Sequence, residues 1–198
     1  KSSAGKGRQN MGKFTFYWTE IEGVCVIEPT VYGDERGYFM ETYNEEEFVK
    51  AGIANVFVQD NHSKSRKGVL RGLHMQKTYH QAKLVRVIRG AVYDVAVDLR
   101  LKSPTYGMWF GVKLTEDNKK QFFIPKGFAH GFVVLSDEAE FVYKCDELYH
   151  PEDEVGLMWN DPTVAVDWPV PEGMEPILSE KDRHHPNLPE LTAILKGE

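Results

Sequence analysis

Cysteine is scarce in this chain. Only Cys25 and Cys145 occur in 198 residues, far apart and without a CxxC spacing. That excludes a disulfide framework and a cysteine knuckle for metal, and it suits a reducing compartment such as the cytoplasm. Long apolar runs are also missing. None approaches the roughly 20 residues of a membrane-spanning helix, so no membrane partner is expected. Positive charge is not in excess: 24 Lys and Arg stand against 30 Asp and Glu, a formal net charge of −6. Nucleic acid needs a broad basic face, and this balance argues against it. A small anion stays open, because one pyrophosphate needs only about two or three well-placed cations. No internal repeat, low-complexity tract or interdomain linker interrupts the chain.

What is present reads as strand. "VYDVAVDL" (92–99) alternates, with Tyr93, Val95, Val97 and Leu99 on one face and Val92, Asp94, Ala96 and Asp98 on the other. "MWFGVKLT" (108–115) sets Met108, Phe110, Val112 and Leu114 on one side. "EFVYKCDE" (140–147) aligns Phe141, Tyr143 and Cys145. Turn signals punctuate these runs at Arg89-Gly90, Ser103-Pro104, Asp117-Asn118, Pro125 to Gly127 and Ser136-Asp137. Many short strands at this spacing predict a sandwich or barrel. Helix is limited to two short pieces. One covers 44–52, with Asn44 as N-cap and Gly52 beyond its last turn; the other runs from Pro189 to just before Gly197. The expected organisation is a single all-β domain over 11–198 with a short helical tail. The polar stretch "KSSAGKGRQN" before Met11 is expected to lie outside the fold as a remnant.

Within this pattern "VLRGLHMQ" (69–76) carries Arg71 and His74 into an apolar run. Such groups in a strand must be paired or do chemistry. Farther on, Pro125, Gly127 and His130 of "IPKGFAHGF" form PxGxxH, which resembles the second signature of the cupin jelly roll. The first cupin signature, HxH followed by glutamate, is absent. The chain has His74-x-Gln76 instead, with no acidic residue from 69 to 93 and a lysine at 83. Two histidines and a glutamine are a poor set for a divalent ion, so neither metal nor another cofactor is expected.

A longer series of motifs is more specific. "DERGYFMET", "QDNHS", "LRGLH", "GFAHGF", "YKC", "WNDP" and "SEKD" stand in the order and approximate spacing of the dTDP-4-dehydrorhamnose 3,5-epimerases, from about Ile21 to Asp182. The resemblance implies a cupin-type double-stranded β-helix with a few short helices. It also implies epimerisation at C3 and C5 of a nucleotide-linked 4-dehydro-6-deoxyhexose. By the same resemblance His74 is the base, Asp182 fixes its tautomer, Tyr143 is the acid and Lys83 stands beside the developing enolate, with His130 close to it. Arg36 and Arg71, completed by Gln59 and Asn61, match a pyrophosphate clamp. Phe39 matches part of the nucleobase platform, with Glu41 nearby. The resemblance further implies a homodimer in which the strand bearing Arg36 is exchanged between protomers. Met75 departs from the family, which usually has an aromatic residue there.

Blander readings stand beside these. Tyr143 between Phe141 and Cys145 also suits a core position, Arg36 beside Asp34 also suits a turn ion pair, and Lys83 also suits a solvated strand end. His62 either orients Asn61 or touches substrate. His80, His150, His184 and His185 read as surface residues. Alternatives to the 3,5-epimerase are a single-site epimerase on a related sugar nucleotide, a metal-dependent cupin, and a non-catalytic sugar-nucleotide binder.

Overall fold

Fourteen strands account for most of the regular structure in the computed structural model, which describes residues 7–170 and 173–197. They are β1 (Gly7–Met11), β2 (Phe14–Trp18), β3 (Cys25–Pro29), β4 (Tyr32–Asp34), β5 (Gly37–Phe39), β6 (Gln59–Arg66) and β7 (Leu70–Gln76). After these come β8 (Lys83–Arg89), β9 (Ala91–Asp98), β10 (Trp109–Thr115), β11 (Gln121–Ile124), β12 (Phe128–Val134), β13 (Glu138–Cys145) and β14 (Glu154–Gly156). A seven-stranded sheet has the order β1-β2-β3-β11-β8-β13-β6, and a five-stranded sheet the order β10-β9-β12-β7-β14. Every pairing in them is antiparallel. This is the expected cupin-type jelly roll.

The alternation in 92–99 separates two parts of the core. Val92 and Ala96 join Val85, Phe122, Phe132 and Phe141 in a cluster fed by both sheets. Val95, Val97 and Leu99 face the other way, onto Leu73, Met75, Leu157 and Leu191. A third cluster lies under helix α1 (Glu45–Ala51), where Phe48 meets Phe14 and Phe16 edge-on at 5.1 and 5.2 Å between ring centroids. The helix begins as its sequence dictates, with the Asn44 side chain accepting from Glu47 N. Helix α2 (Leu188–Lys196) starts with a reciprocal cap between Asn187 and Glu190.

The N-terminal expectation needs correction. Residues 7–10 do not lie outside the fold: Gly7 to Met11 pair with Trp18 to Phe14 along β1 and β2. Alternation in "GRQNM" is too polar to announce a strand, and the pairing is supplied by the exposed edge of β2. Residues 1–6 of that stretch lie outside the described residues.

Candidate active site

Strand β7 sets the site. Regular alternation places residues three apart on opposite faces of a sheet. Arg71 and His74 nevertheless line one hollow. The reason is a bulge: His130 pairs with His74 while Phe132 pairs with Arg71, so β7 spends an extra residue against β12. Gly72 absorbs it with φ +115°, and a Cβ there would lie 2.6 Å from Gly131 Cα and His130 O. Leu73 and Met75 consequently point into the outer core while His74 points inward. On the facing strand, the turn at Pro125 to Gly127 between β11 and β12 delivers His130 to the interior, as the PxGxxH spacing predicts.

Two adjoining hollows of about 420 and 300 Å³ share His74, Lys83 and Tyr143 in their walls. The first also contains Arg71, His130, Lys181 and Asp182; the second contains Gln59, Asn61, Tyr149 and Glu154. The structure therefore brings together eight of the expected residues from strands β6, β7, β8, β12 and β13 and from a 3₁₀ turn (Asp182–His184).

His74 Nε2 lies 2.5 Å from Asp182 Oδ1. Asp182 is buried, which by itself would raise its pKa. Hydrogen bonds from His185 and His74 outweigh that and hold it well below the usual carboxylate range. An ionised carboxylate only accepts, so His74 presents Nε2–H to it, and in the neutral ring Nδ1 is then the nitrogen that carries the lone pair. Tyr143 is pushed up to about 12, chiefly by burial, so its phenol stays protonated at neutral pH. Burial lowers the pKa of Lys83, whose Nζ lies 5.8 Å from the centroid of the Tyr143 ring. A lysine shifted in this direction is better matched as a donor to an oxyanion.

His130 makes a pairing that the motif did not reveal. Its Nε2 is 3.0 Å from both oxygens of Asp94, which is fully buried on β9. Burial lowers the histidine's pKa and raises the aspartate's, each against the pull of its partner. The sequence did hold a signal: Asp94 shares the inward face with Val92 and Ala96, and a buried acid needs a partner. Tyr149, Glu154 and Lys181 were also missed. Lys181 Nζ bonds Glu154, and Tyr149 Oη donates to Glu154 Oε2 at 3.0 Å. They lie on loops and a short strand where no period marks a facing direction.

Three expected residues do not reach this cleft within the chain. Arg36 sits in the tight turn of the β4–β5 hairpin, its side chain 85% exposed and held by Asp34 at 2.5 Å. Phe39 is 66% exposed on β5. Glu41 bonds Lys13 and Asn44. His62 bonds Glu140 Oε2 at 3.0 Å instead of Asn61. His150 stacks on Tyr79 at 4.0 Å, and His184 is exposed. His80 is partly buried, and His185, expected at the surface, is only 8% exposed.

Among the described residues one cluster has metal-ligand chemistry: ring nitrogens of His74 and His185 and a carboxylate oxygen of Asp182 lie within 4.8 Å of one another. Both imidazoles bond the same Asp182 oxygen.

Comparison with known proteins agrees with this architecture. The family model described as dTDP-4-dehydrorhamnose 3,5-epimerase matches residues 18–190. The protein of that name from Methanothermobacter thermautotrophicus is 56% identical over 185 residues, 93% of this chain and all of that protein. Its Escherichia coli counterpart is 55% identical over 178 residues, 89% of this chain and 95% of its own length. Among solved structures, the dTDP-6-deoxy-D-glucose-3,5-epimerase of Legionella pneumophila in complex with dTDP-4-keto-L-rhamnose superposes with a TM-score of 0.88 at 51% identity. That match covers 92% of this chain and 96% of the other. With this agreement along nearly its whole length, the chain belongs to the dTDP-4-dehydrorhamnose 3,5-epimerase family.

Proposed function

We propose that this protein epimerises C3 and C5 of dTDP-4-dehydro-6-deoxy-D-glucose, giving dTDP-4-dehydro-L-rhamnose. The observation that carries the reading is the His74–Asp182 pair set in the same cleft wall as Tyr143 and Lys83. The C4 ketone acidifies the hydrogens on its neighbouring carbons. His74 Nδ1 removes one, the electron pair moves into the C4 carbonyl as an enolate, and Lys83 donates to the oxygen that gains charge. Tyr143 returns a proton to the opposite face, which inverts the carbon. Positioned acid–base groups contribute roughly 10²–10⁴-fold, and an oriented oxyanion donor about 3 kcal/mol, so a carbon acid needs both. His130, held by Asp94, supports the same carbonyl region.

Arg71, Gln59 and Asn61 bind the diphosphate end, Arg71 through a guanidinium suited to phosphate oxygens. Its Nε donates to Ser65 Oγ at 3.0 Å, which fixes the fork. Arg36, Phe39 and Glu41 act in a homodimer. The β4–β5 hairpin exposes Tyr32, Tyr38 and Phe39 by 54, 61 and 66%, an apolar projection that a second protomer covers. Each cleft then receives Arg36 and Phe39 from the partner. Two free buried thiols, Cys25 and Cys145, suit a cytoplasmic setting.

The test is NMR of the product formed in D₂O from dTDP-4-dehydro-6-deoxy-D-glucose. Deuterium at both C3 and C5 with the L-rhamno configuration is expected. Deuterium at one carbon only assigns a single-site epimerase, and no incorporation overturns the enzymatic reading.

A further inference from the structure

Asp182 serves two histidines. Its Oδ1 takes a hydrogen bond from His74 Nε2 at 2.5 Å and another from His185 Nε2 at 3.1 Å. The two rings meet edge to face, 5.3 Å between centroids and 79° between planes. His185 has given up water for this contact, being 8% exposed, and a buried imidazole that loses hydration requires a partner.

The fold makes room for that ring in a specific way. A Cβ at Gly156 would stand 2.3 Å from both Cε1 and Nδ1 of His185. Gly156 is the residue paired with His74 across β14 and β7. The strand position opposite the base therefore lacks a side chain where the second histidine lies.

We infer that His185 is a positioning residue for proton transfer: its Nε2–H clamps Asp182 so that the carboxylate holds His74 with Nδ1 open to substrate. The inference rests on His74 being the base. An ionised carboxylate accepts from both nitrogens, so His185 is the Nε2–H tautomer and carries its lone pair at Nδ1. Without the clamp, Asp182 turns about its side-chain torsions and the His74 ring follows. The substrate still binds through its diphosphate, so the defect falls on kcat and not on KM.

The experiment combines kinetics with imidazole ¹H–¹⁵N correlation spectra of histidine-labelled protein. In the wild type both His74 and His185 show the Nε2–H tautomer. His185→Leu lowers kcat roughly ten- to a hundredfold, as loss of a partner that orients a histidine does elsewhere, with KM unchanged and the His74 resonance displaced. His185→Gln keeps an N–H donor and recovers most of the rate. Gly156→Ala alters no polar group, yet displaces the ring and reproduces the Leu defect. Wild-type kcat in His185→Leu with an unmoved His74 resonance overturns the inference. So does a wild-type His185 in the Nδ1–H tautomer, a result that needs no variant to fold. Normal turnover by His74→Ala overturns the base assignment itself, which separates the two failures.

Discussion

Arg71 and His74 face the same cleft although they stand three positions apart on one strand, because β7 carries its extra residue at Gly72 against the close backbone of Gly131. The bulge thus places the proposed phosphate-binding cation and the proposed base on one wall, at a spacing that a regular strand forbids.

Gly72→Ala tests that link. Its Cβ meets Gly131 Cα and His130 O at 2.6 Å, on a backbone with φ +115° that L side chains rarely adopt. The two strands must part, at a cost of roughly 1–3 kcal/mol or more, and His74 and His130 move with them. A lowered denaturation midpoint together with a reduced kcat is expected. Wild-type values of both would show that the bulge does not depend on glycine.

The His74–Asp182 pair predicts both a rate and a pH effect. His74→Ala and Asp182→Asn each lower kcat by roughly 10²–10⁴-fold, while dTDP affinity measured by calorimetry stays near wild type. Asp182 also links stability to pH. Its folded pKa lies far below the unfolded value of about 4, so its contribution is fully present above that value. The contribution is lost as pH falls toward the folded pKa, because the unfolded chain takes the proton first. Asp182→Asn removes this part, and its stability declines less steeply below about pH 4. An acid limb as steep as that of the wild type would contradict the assignment.

Much of this arrangement was legible in the sequence, and the gaps have physical causes. Alternation fixed the faces of 92–99 and 140–147, and the caps at Asn44 and beyond α1 marked a helix correctly. Motif order located His74, Lys83, His130, Tyr143 and Asp182. Strand order did not follow, since β11 inserts between β3 and β8 through pairings distant in the chain. His185 was read as surface because a polar run after "SEKD" resembles a solvated loop. Only the 3₁₀ turn folds it back onto Asp182. A period of two likewise cannot announce a bulge, although a glycine within a strand is its usual mark.

Chelation should leave activity intact. The HxH-Glu set is missing, and the His74, Asp182 and His185 atoms already bond one another. Turnover after exhaustive EDTA or phenanthroline treatment is expected to match the untreated protein. Loss of activity with recovery on adding zinc or iron would favour a metal-dependent cupin.

Arg36 and His74 should complement each other between protomers. Arg36 stands exposed on its hairpin, outside the walls of its own chain's cleft. Arg36→Ala and His74→Ala proteins, each inactive alone, should regain part of the wild-type rate when mixed under conditions of demonstrated subunit exchange. No recovery despite exchange would mean that each cleft is complete within one chain.

The acid role proposed for Tyr143 is tested by separating proton removal from inversion. Tyr143→Phe deletes one hydroxyl and keeps the ring that packs 5.7 Å from Phe141, centroid to centroid, so the fold should hold. The base, its carboxylate and Lys83 are untouched, and abstraction by His74 should continue. Burial keeps the wild-type phenol protonated, with its pKa at about 12, so the native enzyme always has this proton to give. In the variant, exchange of the substrate α-hydrogen with solvent deuterium should persist while inverted product nearly vanishes. A tyrosine that only fills the core predicts a different pattern, lost stability with exchange and inversion falling together. Deuterium wash-in and product configuration measured on one sample distinguish the two. Inversion by Tyr143→Phe at the wild-type rate would assign the proton to another donor, with His130 next to it at 6.5 Å between ring centroids.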